Sequence, residues 1–139
     1  MADNLTPEQR RRCMSRVRNK DTKPERLVRT ALHKRGLRFR KHVRGLPGTP
    51  DVVFTRAKVA VFVDGDYWHG YRFRRWCGGL SEFWREKISK NRRRDFHTFR
   101  ALRAGGWQVI RVWQHSIKND LDGCVRRIEQ AVRRRASNS

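Results

Sequence analysis

The sequence predicts one α/β domain, with a mixed β-sheet flanked by helices. Helical and strand periodicities follow one another in the order α, α, β, β, β, α, β, α, which is the pattern of a sheet with helices on its faces. The chain has 139 residues, the length of a single domain. Aromatic residues make up 10% of it, and disordered chains are poor in them, so the chain should fold.

The first predicted element is a basic helix from about Pro7 to Val17. Thr6, Pro7 and Gln9 follow one another as a capping hydroxyl, a first-turn proline and a third-position glutamine. The helix is rich in arginine and has little apolar face. Residues 1–20 are therefore interpreted as an arm that docks on an anionic partner, with a solvated basic helix as the alternative.

A second helix and a first strand are predicted next. The helix runs from near Pro24 to just before Gly36, and its apolar residues fall at helical spacing. Residues 37–43 alternate with period two, which predicts a strand whose wet face carries His42. The predicted buried stripe of the helix consists of Leu27, Val28, Ala31 and Leu32.

Two short β-branched runs form the predicted centre of the sheet. Residues 51–54 and 58–63 are joined by three residues, and this spacing predicts a β-hairpin. Residues 64–79 contain four glycines and five aromatic residues, which is typical of a loop with a function.

The second half of the chain predicts a helix, a strand and a helix. Ser81 can cap a long helix that runs to about Ala104, where two glycines end it. Residues 107–113 predict the fourth strand, and Asn119 or Asp120 caps a final helix. The expected packed side of the long helix comprises Phe83, Ile88, Phe96, Phe99 and Leu102.

The net charge points to a polyanionic partner. Lysine and arginine number 35 against 13 aspartate and glutamate, which gives a formal charge of +22. Such a charge opposes compaction unless an anion neutralises it, and arginine suits phosphates and base edges. Nucleic acid is the expected partner, although a nucleic-acid packing protein or biased codon usage would give the same composition.

The chain is expected to be a soluble cytoplasmic protein associated with the nucleoid. Its longest apolar run, residues 59–63, is far short of a membrane span or a signal-peptide core. Its three cysteines lack CxxC spacing and do not predict a disulfide framework, so reduced thiols are expected.

Asp51 is the sharpest candidate for chemistry. It follows Pro50 and precedes a buried run, so its carboxylate is expected at the mouth of a strand. Mg²⁺ typically takes one or two carboxylates, several waters and a phosphate of the substrate, and Asp51 suits that ligand role. In a chain this basic, an acid also suits the role of a counter-ion for arginine.

A second polar group follows the next strand. Asp64, Asp66 and His69 share one loop with two large aromatic residues. If the preceding strand pairs with the strand of Asp51, these side chains cluster. His69 then suits a general acid or base, since histidine changes its charge near physiological pH, whereas an isolated histidine is more often structural.

Four short motifs occur in register along the chain, namely Gly45–Asp51, Val61–His69, Glu82–Asn91 and Gly106–Trp113. With these motifs the chain resembles the very-short-patch-repair (Vsr) mismatch endonucleases, bacterial relatives of type II restriction enzymes that nick DNA beside a T:G mismatch. Residues 13–15 and 21–25 also resemble the start of that family. The likeness therefore covers nearly the whole chain.

The resemblance implies a restriction-endonuclease-like fold, related to the PD-(D/E)xK nucleases, and a Mg²⁺-dependent phosphodiesterase. It implies that Asp51 and the Val63 carbonyl bind the metal. It also implies that His69 activates or positions water, and that Glu25 assists from the second helix. The lysine of the usual (D/E)xK motif is absent from this chain.

The resemblance also implies that side chains wedge into the base stack beside the mismatch. Tyr67, Trp68 and Trp84 match the positions that enter from one groove. Met14 matches the position that enters from the other. Unstacking costs least at a mispaired step, so wedges select for mismatches. For Trp68 and Trp84, a place in the core is the alternative.

The long helix carries further candidates for DNA contact. Trp84, Lys87 and Asn91 stand at i, i+3 and i+7, which places them on one helical face that can touch base edges and phosphates. The run Arg92–Arg94 directly after Asn91 suits phosphate contacts or a solvated charged surface.

The chain departs from the family pattern around a structural zinc that many members hold. Asp66 and His115 stand at two of the cysteine positions, and Cys77 is out of step. A hydrogen bond between Asp66 and His115 is therefore expected in place of Zn²⁺, with a site of Asp66, Cys77 and His115 as the alternative. Asp64, where relatives often carry histidine, either joins Asp51 on the metal or accepts hydrogen bonds from arginine.

The sequence thus predicts a Mg²⁺-dependent DNA-nicking endonuclease of very-short-patch mismatch repair that acts on duplex DNA as a monomer, with mismatch-repair proteins as further partners. One alternative is a nickase of restriction or defence that needs no mismatch. Another is a basic DNA-binding module whose metal site is no longer used. The nuclease domain is expected over residues 21–135, after the arm and before a frayed tail of residues 136–139.

Overall fold

A computed structural model describes residues 22–66 and 69–137. Four predicted features lie outside these ranges, namely the basic arm, Met14, Tyr67 and Trp68. Within the ranges, each helix is too short or too polar to form a membrane span. In chain order the elements are α1 (Lys23–Lys34), β1 (Arg40–Lys41), β2 (Val52–Phe54), β3 (Val59–Asp64), α2 (Phe73–Trp76), a 3₁₀ turn (Cys77–Gly79), α3 (Glu82–Ala104), β4 (Gln108–Trp113) and α4 (Gln114–Ser137).

The four strands form one mixed sheet in the order β1-β2-β3-β4. β2 pairs antiparallel with both β1 and β3, so the predicted central hairpin is confirmed. β3 and β4 pair in parallel, with Val61 opposite Ile110, and α3 lies in the crossover that a parallel pair requires. The predicted α/β class with a mixed sheet is therefore confirmed.

Helices cover both faces of the sheet, and residues of β3 alternate between them. Val59 and Val61 join the larger core with α1 and α4, whereas Ala60 and Phe62 join a smaller core with α3. Because the alternation continues to the end of β3, that end receives side chains from α1 on one face and from α3 on the other. The larger core includes Val28, Leu32, Val52, Phe54, Ile110, Val112, Ile117, Val125 and Ile128.

The first strand is shorter than predicted. Its pairing ends after Lys41, where His42 takes a left-handed conformation with φ 51°, although the His42 N–H still donates to the Asp51 carbonyl at 3.3 Å. The expected wet-face position of His42 is wrong, since its side chain turns inward and is largely buried.

Several expected core side chains lie at the surface. Ile88, Phe99 and Leu102 of α3 are buried as predicted, but Phe83 is 63% and Phe96 61% exposed. At 100° per residue, Phe96 lies about 80° and Phe83 about 140° around the helix from Ile88, away from its packed stripe. Leu27, predicted to be buried on α1, is exposed as well.

In the described residues, the predicted loop and the last helix contain more regular structure than expected. Residues 69–79 include α2 and the 3₁₀ turn. α4 begins at Gln114, and a kink at Asp120 divides it. Beyond the kink Asp120 caps the helix as predicted, since its Oδ1 accepts a hydrogen bond from the Gly123 N–H at 3.0 Å. The helix continues to Ser137, where a frayed tail was expected.

Candidate active site

Three polar side chains from different elements meet in front of β2. Glu25 comes from the first turn of α1, where its N–H donates to the capping Thr22 hydroxyl at 3.4 Å. Asp51 directly precedes β2, and its N–H donates to the Val61 carbonyl of β3 at 3.0 Å. His42 follows β1. The ligand atoms of Glu25, His42 and Asp51 all lie within 4.8 Å of one another, and we call this group the first cluster.

Asp51 is a buried carboxyl group with an anion beside it. It is 7% exposed, and its Oδ2 accepts a hydrogen bond from the Val63 N–H at 2.7 Å. Burial, and then the neighbouring Glu25 carboxylate, raise the pKa of Asp51 to about 8, while the Val63 amide opposes that rise. A cation between the two carboxylates would relieve the same repulsion.

Glu25 is held from two sides. Its side chain is almost completely buried, with 1% of the residue exposed. The Oε2 atom accepts a hydrogen bond from Nη1 of Arg29 at 3.2 Å and lies 2.8 Å from Nε2 of His42. The left-handed backbone at His42 directs the ring towards Glu25. Two cationic or polar partners thus fix the orientation of this carboxylate.

The first cluster fits a hard divalent cation. Magnesium prefers oxygen donors, and Glu25 and Asp51 bring carboxylates together where burial and mutual repulsion disfavour two bare negative charges. The contact of Val63 in the structure is made by its N–H with Asp51, which orients the proposed ligand. A metal bond through the Val63 carbonyl stays a prediction.

A second cluster lies at the end of β3, on the face covered by α3. It consists of Asp64, His69 and Asp95, whose ligand atoms also lie within 4.8 Å of one another. Nδ1 of His69 is 2.8 Å from Oδ2 of Asp95, and Nε2 is 3.4 Å from Oδ1 of Asp64. The imidazole therefore lies between two carboxylates. Asp95 belongs to α3, on the same side as Phe99.

Arg111 of β4 closes the second cluster. Its Nε donates to Oδ2 of Asp64 and its Nη2 donates to Oδ2 of Asp95, both at 2.7 Å. Burial raises the pKa of Asp64, and the positive groups of His69 and Arg111 oppose that rise. Asp64 thus accepts from an arginine, one of the two roles that the sequence left open for it.

The two clusters adjoin each other but divide the predicted site residues between them. Because β2 and β3 pair, Asp51 and Asp64 come close enough that the charge of Asp64 also raises the pKa of Asp51. Glu25 lies beside Asp51, and the assisting role that the family resemblance implies for it stays a prediction. His69 lies in the second cluster, with Asp64 and Asp95.

Sequence reasoning missed three members of these clusters, although each left a signal. His42 stood on the expected wet face of a strand. Asp95 is a single acid directly after three arginines, and Arg111 is a single charge inside the apolar run of β4. An isolated charge between the buried residues of a strand favours a partner, so Arg111 could have been paired with an acid on the neighbouring strand.

The predicted hydrogen bond between Asp66 and His115 is confirmed. Nδ1 of His115 lies 2.8 Å from Oδ1 of Asp66, and the Tyr71 ring packs on the imidazole with 4.3 Å between ring centroids. Cys77 packs instead against Leu80 and Ile88. The polar pair therefore joins the loop after β3 to the start of α4.

The predicted DNA-contacting face of α3 is only partly exposed. Trp84 is half-buried and packs beside Ile88, while Lys87 is exposed. Asn91 is 4% exposed, and its Oδ1 accepts a hydrogen bond from Arg94 at 2.9 Å. The structure thus places Asn91 inside, and its predicted contact with DNA would require a local rearrangement.

Comparisons with known proteins agree with this architecture. Residues 2–75, more than half of the chain, match the model of the family described as DNA mismatch endonuclease Vsr. The chain is 42% identical over 134 residues to the type II nicking enzyme V.NmeDIP of Neisseria meningitidis serogroup C, a match that covers 94% of this chain and 90% of that relative.

Two further relatives are similar over most of the chain. The type II nicking enzyme V.XorIIP of Xanthomonas oryzae pv. oryzae is 48% identical over 118 residues, which cover 82% of this chain and 85% of the relative. The DNA mismatch endonuclease Vsr of Escherichia coli K12 is 32% identical over 124 residues, covering 85% and 77%. The chain therefore belongs to the Vsr family of DNA mismatch endonucleases, and it is a DNA nicking endonuclease with the restriction-endonuclease-like α/β fold of that family.

Proposed function

We propose that this enzyme nicks one strand of duplex DNA beside a T:G mismatch, as a step of very-short-patch mismatch repair, and that it uses Mg²⁺ bound at Asp51. The observation that carries the chemistry is the buried pair of Glu25 and Asp51 next to the His69–Asp95 pair. The mismatch requirement is supported by the family description and by the name of the Escherichia coli relative.

The first cluster is built to hold its carboxylates in place before DNA arrives. The Val63 amide fixes Asp51, and Arg29 with His42 fixes Glu25, so the binding geometry needs little reorganisation. When bound there, Mg²⁺ supplies a Lewis acid for the phosphodiester and for the oxygen that leaves it. His42 acts on the metal site through its contact with Glu25.

His69 moves the proton in this proposal. Its Nδ1 shares a hydrogen bond with Asp95, which fixes the orientation of the ring. The Nε2 atom is then the position that takes a proton from water or gives one to the leaving oxygen. Nε2 lies 3.4 Å from Oδ1 of Asp64, which is longer than the 2.8 Å contact of Nδ1 with Asp95.

Basic and aromatic residues would bind the DNA. The net charge of +22 supplies counterion-releasing contacts with phosphates, and Lys87 lies exposed on α3 next to Trp84. We propose this part of α3 as a DNA-facing surface. Tyr67, Trp68 and Met14 remain the proposed wedges at the mismatch.

A second candidate function rests on the names of the relatives. Those with 42% and 48% identity are called type II nicking enzymes, which fits a nickase that serves restriction or defence and requires no mismatch. A DNA-binding module without catalysis is disfavoured, because the chain belongs to a family of nicking endonucleases and keeps the carboxylates and the histidine that the proposed chemistry uses.

Strand-resolved nicking of matched duplexes separates the two candidates. The substrates are end-labelled T:G and T:A duplexes with the same randomised base pairs on either side of the central thymine. Mismatch repair predicts a nick in the thymine strand of the T:G duplex and little cutting of the T:A duplex. Equal cutting of both duplexes would favour the restriction candidate and contradict the proposed repair role.

Replacement of Trp68 by alanine is expected to reduce discrimination between T:G and T:A duplexes by about tenfold or more, because a stacked aromatic contributes roughly 1–3 kcal/mol per base. Affinity for the paired duplex should change little. Single-turnover nicking and binding of both duplexes check this, with Trp68→Phe as the variant that keeps a ring. Unchanged discrimination by Trp68→Ala would show that the indole does not wedge.

Acidification is expected to weaken Mg²⁺ binding, because the raised pKa of Asp51 means that the metal must displace a proton. With that pKa at about 8, competition by one proton predicts about fivefold weaker affinity at pH 7 than at pH 8. Titration of Mg²⁺ into single-turnover nicking at the two pH values measures the change. Equal Mg²⁺ affinity at both would contradict the proton competition.

A further inference from the structure

We propose that Arg111 is a positioning residue for nicking, and that its guanidinium is the built-in cation of the second cluster, which holds Asp64 and Asp95 on either side of His69. The inference rests on the proposed catalytic role of His69 and deepens it. It assigns a function to a residue that lies outside the sequence-predicted site.

The guanidinium of Arg111 is fixed by bonds at its edge and rings near its faces. Nε and Nη2 each donate to a carboxylate at 2.7 Å, one on Asp64 and the other on Asp95. The central carbon lies 4.1 Å from the ring centroid of Trp113 and 5.1 Å from that of Phe99. These contacts hold the planar fork in one orientation.

The fork holds the carboxylate that orients the catalytic imidazole. Oδ2 of Asp95 accepts from Arg111 and is also the atom bonded to Nδ1 of His69. A movement of the guanidinium would therefore move the partner of His69. On the opposite side, Arg111 binds Oδ2 of Asp64, while Oδ1 of the same carboxylate faces Nε2 of His69 at 3.4 Å. Arg111 thus fixes the positions of both carboxylates that flank the ring.

The cluster also requires a positive charge near the substrate. Two largely buried carboxylates flank His69, and the phosphodiester that approaches it is a third anion. Arginine keeps its positive charge at every physiological pH, so it always offsets part of the negative charge of the two carboxylates. Without that charge, the two acids would repel both each other and the DNA strand to be cut.

Asp64, His69 and Asp95 also have the spacing of a metal site, and Arg111 argues against such a use. Its donors already bind one oxygen of each carboxylate, so a divalent ion would have to share Asp64 and Asp95 with a fixed positive charge. The arginine thus disfavours a second cation at this cluster. Nicking is then expected to need divalent metal at the first cluster, beside Asp51.

A lysine cannot replace this geometry. An ammonium group carries its charge on one nitrogen. In Arg111, two different nitrogens of the planar guanidinium donate to two different acids, Nε to Asp64 and Nη2 to Asp95. The variant Arg111→Lys therefore keeps the charge and loses the bridge. It is a sharper test than a neutral replacement, because it leaves the net charge of the protein unchanged.

The test measures single-turnover nicking at saturating DNA, together with DNA affinity, on whichever duplex the parent enzyme cuts. Arg111→Lys is expected to slow nicking about 100-fold while DNA affinity stays within about threefold, because the change misplaces a proton-transfer group. Arg103→Lys, at an exposed position near the end of α3, is the matched control and should nick like the parent.

Chemical rescue separates positioning from folding. Nicking by Arg111→Ala is expected to recover several-fold with added methylguanidinium and not with methylammonium, since only the former can bridge both acids. Nicking by Arg111→Lys within threefold of the parent would overturn the inference. A loss without guanidinium-specific rescue, accompanied by weaker DNA binding or a lower melting temperature, would overturn it too. Failure of the parent enzyme to nick would instead contradict the proposed function.

Discussion

Replacement of Asp51 by asparagine is expected to abolish nicking while DNA binding is retained. The change removes the carboxylate that the Val63 amide orients and that we propose as the metal ligand. Loss of metal catalysis removes several kcal/mol of transition-state stabilisation, so the single-turnover rate should fall by at least about 10³-fold. DNA affinity should change by less than about threefold, because the arginine contacts with phosphates remain.

The stability of this variant provides an internal control. Folding raises the pKa of Asp51 from 3.8 to about 8, so its ionisation makes the metal-free protein progressively less stable as the pH rises across that interval. Asp51→Asn lacks this penalty and is expected to melt at or above the temperature of the parent at pH 8 in EDTA. Asp122→Asn, at an exposed acid paired with Arg35, should nick normally. Residual nicking by Asp51→Asn near the rate of the parent would show that the metal is held elsewhere.

Replacement of Asp95 by asparagine is expected to give the second-largest loss, about 10³-fold in the single-turnover rate. Oδ2 of Asp95 binds both His69 and Arg111, and asparagine lacks the negative charge that favours both bonds. Removal of the acid that orients a catalytic histidine, with general acid–base catalysis lost, typically costs about 10²–10⁴-fold. Mg²⁺ affinity should be retained, because the first cluster is untouched.

Mg²⁺ titrations of single-turnover nicking distinguish the two roles. In Asp95→Asn the Mg²⁺ concentration for half-maximal nicking should match that of the parent while the maximal rate falls. A shift in that concentration with an unchanged maximal rate would mean that Asp95 serves the metal and not His69. Asp122→Asn again serves as the control, since it makes the same chemical change at the surface.

The strands and the long helix could be predicted because local pattern and packing agree there. β2 and β3 are β-branched runs joined by a short turn, and both are buried on the two sides of the sheet. The early end of β1 was not predictable, since it depends on the left-handed backbone of His42. Phe83 was wrongly predicted to be buried, because the pattern of apolar residues in α3 does not show which side of the helix meets the sheet.

The site was predictable where one strand end carries the chemistry. Asp51 directly precedes β2 and Asp64 is the last residue of β3, and pairing of these strands brings the two acids together. Asp95 and Arg111 were not predicted as site residues, because their contact depends on how α3 packs against β4 on the second face of the sheet. His42 escaped for a related reason, since its contact with Glu25 joins the end of β1 to α1. Contacts between layers leave little trace in the spacing of residues along the chain.

The measurement that tests the proposed metal-dependent nicking most directly is single-turnover cutting of a T:G duplex labelled on both strands, after removal of metal with EDTA and again after addition of Mg²⁺. The expected result is no cutting in EDTA and, after Mg²⁺ is added, a nick in the thymine strand alone. Cutting that persists in EDTA would contradict a metal at Glu25 and Asp51, whether or not the enzyme prefers the T:G mismatch.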